Sequence, residues 1–161
     1  MTTERFNEAT VPPSSGRVVV GVDDSEGGRE ALRHAAEVAR WRGWTLHVVH
    51  AWHLMYPVAP YATNFGEIEE AVMEAAHETV RDIELEVLGK DSGMVIRHTI
   101  VEGPAAKVLI AASDGADLLV VGNRGRGGFS SLALGSVGQA CVHHARCPVL
   151  VIRPRTHRAA A

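Results

Sequence analysis

Lysine is nearly missing from this chain of 161 residues, with Lys90 and Lys107 the only two. That excludes the GxxxxGK[ST] loop of kinases and GTPases, whose lysine reaches the β- and γ-phosphates. Aromatic residues supply 5% of the chain while hydrophobic residues supply 46%, so the core has to be aliphatic. Concentrated positive charge is also absent. A formal net charge of −3, with Arg155 and Arg158 the only basic tail residues besides Arg153, gives no nucleic acid or anionic membrane as the expected partner. No run approaches the roughly 18 apolar residues of a membrane span. Residues 1–16 carry Glu4, Arg5 and Glu8 and lack the apolar stretch of a secretory signal. Two cysteines, Cys141 and Cys147, suit a reducing compartment and no disulfide framework, so the cytoplasm is the expected location.

What is present is alternation. The segment 17–22, RVVVGV, has β-branched residues on consecutive positions, as in a strand buried on both faces. Asp23 and Asp24 stop it, Ser25 is a candidate helix cap, and Ala31, Leu32, Ala35, Val38 and Ala39 form one helical stripe over 30–42. Strands are expected at 44–51, 94–101, 117–122 and 149–152, and helices at 67–88, from Pro104 in a first turn, and at 135–145. The segment 52–66 is a long loop after a strand end, placed near any ligand. One domain is expected over 17–154, between a flexible leader, 1–16, and a polar tail, 155–161. Strand alternating with helix implies an α/β fold of three layers, a five-stranded parallel sheet with helices on both faces. In such sheets the ligand lies beyond the carboxyl ends of the strands, where the winding reverses.

The stretch 120–137, VVGNRGRGGFSSLALGSV, has the strongest chemical character. A strand ending in Val121 and Gly122 breaks into Asn123, Arg124, Gly125, Arg126, Gly127 and Gly128, and a helix opens at Gly135, Ser136 and Val137. Glycines permit φ > 0 and remove the Cβ that keeps a bulky ligand away. A helix start adds unpaired N–H groups and partial positive charge, with Ser136 offering a capping oxygen. Strand, glycine loop and helix start together describe a phosphate cradle. Arg124 and Arg126 either pair with phosphate oxygens or are solvated.

Gly122, two residues, Gly125, nine residues, then Gly135 and Ser136 resemble the nucleotide-binding signature of the universal stress protein family, in its ATP-binding branch. The opening VGVDDS, the run ADLLVVGNRGRGG, the helix start LGSV and the closing CPVLVIRP extend that resemblance over 17–154. It implies a Rossmann-like, adenine nucleotide alpha hydrolase-like sheet in the order 3-2-1-4-5. It further implies ATP as ligand, with Asp23 beside the nucleotide and holding Mg2+ only through it, and Gly21 and Val22 preceding that acid. Adenine would be read by main-chain groups near Ala51, and a homodimer would form along Val149, Leu150, Val151 and Ile152. The implied role is a regulatory stress-response factor. Gly122→Val or Gly135→Val is then expected to abolish binding and leave the fold intact.

Other chemistries fit less well. Slow ATP hydrolysis in the same pocket is the alternative function, but phosphoryl transfer needs a positioned cation, a water-orienting group and charge stabilisation, for which only Asp23 and one arginine are available. A phosphoacceptor receiver domain would need an aspartate and a lysine where Glu102 and Arg153 stand. Cys141, His143, His144 and Cys147 lack the spacing of a zinc knuckle. Cys141 reads instead as a small packed residue and the two histidines as the exposed end of a helix. His34, His47, His50, His53, His77 and His98 are scattered, with no partner suggesting a catalytic base.

Overall fold

The central strand of the computed structural model is β1 (Arg17–Gly21), in which Val18, Val19 and Val20 are fully buried. The structure describes residues 16–53, 65–125 and 134–154. Its remaining elements are α1 (Glu26–Arg42), β2 (Thr45–Trp52), α2 (Phe65–Leu88), β3 (Ile96–Glu102), α3 (Ala105–Ala112), β4 (Leu118–Gly122), α4 (Ser136–His144) and β5 (Val149–Ile152). The sheet runs β3-β2-β1-β4-β5 with every pair parallel. The expected class and strand order are therefore present. Most of the leader, positions 54–64 of the expected loop, and the tail lie outside the described residues.

Valines on successive positions of β1 face opposite ways, so each feeds a different core. Val18 and Val20 join Leu32, Ala35, Leu46, Val48, Val80 and Ile83 beneath α1 and α2. Val19 joins Val49, Leu109, Leu119, Val121 and Cys141 beneath α3 and α4. Each buried Val or Leu removes apolar surface worth about 1.5–3 kcal/mol. Continuous burial holds for β1 and most of β4. The edge strand β3 is only half-buried, because a margin has a neighbour on one side alone.

Helix α1 starts at Glu26, four residues before the expected stripe. Ser25 Oγ accepts from the Gly28 N–H at 3.0 Å, and Gly43 ends the helix with φ of 67°. Pro104 is the N-cap of α3 and not a first-turn residue. Likewise β1 stops at Gly21, before Val22, and β3 extends through Glu102. No described helix is long and apolar enough to cross a membrane.

His47 gives the sheet a titratable weak point. Its Nε2 lies 2.9 Å from Thr99 Oγ1 on β3. Burial, followed by the positive charges of Arg17, Arg97 and His98, lowers its imidazole from 6.5 to about 4. The unfolded chain therefore takes up a proton first, and stability present above pH 6.5 is lost as pH falls toward 4. Urea titrations at pH 7.5 and 4.5 should show His47→Gln losing about 2 kcal/mol less than wild type over that interval. Equal losses would remove His47 as the cause.

Candidate functional site

Four segments meet at the carboxyl edge of the sheet, on either side of the point where the winding reverses between β1 and β4. The first is the end of β1. Asp23 Oδ1 accepts from the Ser25 N–H at 3.1 Å and from the Ser25 hydroxyl, which itself caps α1. Asp23 thus holds the helix start whatever else it does, and Oδ2 lies on the side of Gly125, where a Cβ would come within 2.7 Å of it. Arg29 secures the same turn: its guanidinium donates to the Asp24 and Ser25 carbonyls and pairs with Glu86 Oε2 of α2 at 3.0 Å.

The second and third segments are the loop after β4 and the start of α4. Asn123 is buried and joins them through its main chain. Its N–H donates to the Ile152 carbonyl at 2.7 Å, and its carbonyl accepts from the Gly135 N–H at 2.7 Å. Gly135 is the N-cap of α4, with φ of −75° and ψ of 167°, and supplies no capping side chain. The expectation that Ser136 caps this helix is corrected: Ser136 is its exposed first residue, and Val137 packs half-buried toward the α3 side. A helix start without a capping oxygen of its own favours an anion.

Gly122 takes a different part from the one its sequence suggests. Among those described in this loop, neither Gly122, Gly125 nor Gly135 has positive φ. A Cβ on Gly122 would meet the Gly27 carbonyl carbon and oxygen at 2.8 Å, and one on Gly27 would meet the Arg124 carbonyl at 2.6 Å. The loop lies backbone against backbone on the first turn of α1. Gly122→Val therefore cannot leave the fold intact, contrary to expectation. Gly135 is unlike it, since among the described residues a Cβ there meets Asn123 O at 3.5 Å and Arg124 Cα at 3.6 Å, ordinary contacts. The room at Gly21 is filled by Leu109 of α3, whose Cδ1 would stand 2.8 Å from an added Cβ.

The fourth segment is the end of β2, carrying half-buried Ala51. His50 beside it, fully scattered in the sequence, is buried with Nδ1 2.9 Å from the Val22 carbonyl. Nothing in the sequence marks it, because its partner is a main-chain atom. Val121 is buried under α3 and α4, while Arg126, Gly127 and Gly128 lie outside the described residues. Val149, Leu150, Val151 and Ile152 form the marginal strand β5, with Leu150 exposed. Cys141 is fully buried, and burial, then the neighbouring Cys147, pushes its thiol up to about 11, so it packs as a neutral thiol.

The family model for universal stress proteins matches residues 15–153. A universal stress protein of Mycobacterium tuberculosis is 36% identical over 143 residues, which span 88% of this chain and 45% of that protein. The chain thus spans about half the length of the curated relatives it matches. Among solved structures, UspA from Lactobacillus plantarum superposes with a TM-score of 0.73 at 23% identity, covering 86% of this chain and 97% of that one. A universal stress protein from Archaeoglobus fulgidus in complex with dAMP superposes with a TM-score of 0.56 at 26% identity, covering 85% and 97%. The chain belongs to the universal stress protein family.

Proposed function

We propose that this chain binds an adenine nucleotide across the carboxyl edge of its sheet and acts as a nucleotide-dependent regulatory factor in stress response, with little or no turnover. The observation that carries this reading is the hydrogen bond from the Gly135 N–H to the Asn123 carbonyl. It seats the start of α4, whose N-cap Gly135 brings no capping side chain, directly on the loop after β4, which is the arrangement a phosphate group needs. The dAMP held by the Archaeoglobus fulgidus relative supports an adenine nucleotide as the ligand. In this reading ATP is the ligand, its phosphates lie along Gly122–Gly125 and Gly135–Val137, and its base lies near Ala51. Asp23 Oδ2 faces the loop and suits an oxygen contact to ribose or, through the nucleotide, to Mg2+.

Calorimetry with ATP, ADP, AMP and GTP tests the proposal. Adenine nucleotides should bind, and GTP should bind at least about tenfold more weakly, a difference of roughly 1.4 kcal/mol. No binding by any of the four would overturn the reading. Phosphate release under excess ATP and magnesium separates a binding protein from an ATPase, and turnover of about 1 per second or more would reject the regulatory reading. The proposal includes two copies pairing along Val149–Ile152, which would cover an exposed strand margin.

A further inference from the structure

Val22 donates its N–H to the Val49 carbonyl at 3.0 Å, carrying the β1–β2 ladder one step past the end of β1. In a parallel ladder, residues two apart turn both main-chain polar groups to the same side. Val49 and Ala51 therefore face β1, whereas His50 and Trp52 face β3, as the 2.9 Å bond from the Gly103 N–H to the Trp52 carbonyl records. Regular pairing would next give the Val22 carbonyl to the Ala51 N–H. Instead that carbonyl lies 2.9 Å from His50 Nδ1, in a buried setting. A carbonyl only accepts, so Nδ1 carries the hydrogen.

The geometry points to His50 as a positioning residue, whose ring holds the Val22 carbonyl, ends the β1–β2 ladder before Ala51, and leaves the Ala51 N–H and C=O turned into the crevice for the base of the nucleotide. This rests on the nucleotide-binding reading above and adds the device that exposes the base-reading groups. It also ties Val22, and with it the neighbouring Asp23, to the strand that carries Ala51. The two walls of the crevice are thereby fixed at one separation. Without a donor at position 50, continuation of the β1–β2 register would give the Val22 carbonyl to the Ala51 N–H. The ladder would then close over the base site while leaving the α4 helix start untouched.

The test compares ATP with inorganic tripolyphosphate as probes, using wild type, His50→Leu and His50→Asn. Leucine keeps bulk without a donor, and asparagine restores an N–H near the place of Nδ1. His50→Leu should bind ATP about tenfold or more weakly, with tripolyphosphate affinity held within about twofold, and His50→Asn should recover ATP binding to within about threefold of wild type. Parallel losses for both probes, or ATP binding unchanged by leucine, would overturn the proposal alone. A wild type that binds tripolyphosphate and no nucleotide, or neither probe, would overturn the nucleotide reading and this proposal with it. Nitrogen-15 NMR of the ligand-free protein gives an arm independent of binding. The hydrogen should be found on Nδ1, and a ring hydrogen on Nε2 alone would overturn the proposal.

Discussion

Gly122→Val is expected to lower the free energy of unfolding by about 3 kcal/mol or more, on the order of 10 °C in Tm. The added Cβ would stand 2.8 Å from both the carbonyl carbon and oxygen of Gly27 and 3.1 Å from its Cα. Those atoms belong to the first turn of α1 and have no rotamer by which to move aside. The strain must be relieved by separating β4 from α1, which would also lift Asn123 from its bonds to Ile152 and Gly135. Alanine brings the same Cβ and should show much of the loss. Chemical denaturation of the ligand-free protein measures this directly, and a Gly122→Val protein as stable as wild type would show that the loop does not rest on α1.

Gly135→Val should do the opposite. Its backbone lies in an extended conformation open to any residue, and among the described residues the nearest atoms to an added Cβ are at 3.5 and 3.6 Å. Exchanging glycine for valine at an N-cap should cost no more than about 1 kcal/mol. Nucleotide affinity should nevertheless fall by about 100-fold or more, because the new methyl groups occupy the space in front of the α4 helix start where an anion would sit. Paired calorimetry and denaturation distinguish the two effects. A Gly135→Val variant that binds like wild type would move the phosphate site elsewhere. The contrast between the two glycines is informative because the same substitution is placed at the same loop, in one case against protein and in the other against the crevice.

The sheet was legible because RVVV and LLVV are short, continuous β-branched or aliphatic runs, the pattern of strands buried on both faces, and each is followed by turn residues. The spacing of Gly122, Gly125 and Gly135 likewise led to residues that meet in space, since Asn123 ties the loop to the helix start. The purpose of Gly122 was not legible. A close approach between two backbones distant in sequence leaves no local pattern, and glycine reads the same whether a ligand or a helix fills the space. The start of α1 was missed for a related reason. Gly27 and Gly28 look like helix breakers, yet they let the Arg124 carbonyl and the Asp23 main chain sit against the first turn. Val22 looked like strand, but its carbonyl leaves the ladder for the His50 ring. Ser136 offered a plausible capping oxygen, but the first intrahelical bond runs from the Gln139 N–H to the Gly135 carbonyl at 2.9 Å, which puts the cap one residue earlier.

The central claim is that the loop after β4, the start of α4 and the end of β2 form one nucleotide site. Amide NMR of the nitrogen-15-labelled protein, titrated with ATP and magnesium, tests it most directly. The account predicts the largest shifts at Ala51, at Gly122 through Gly125, and at Gly135 through Val137, all following one binding curve. Shifts absent at saturating ATP, or confined to residues away from the carboxyl edge of the sheet, would contradict it.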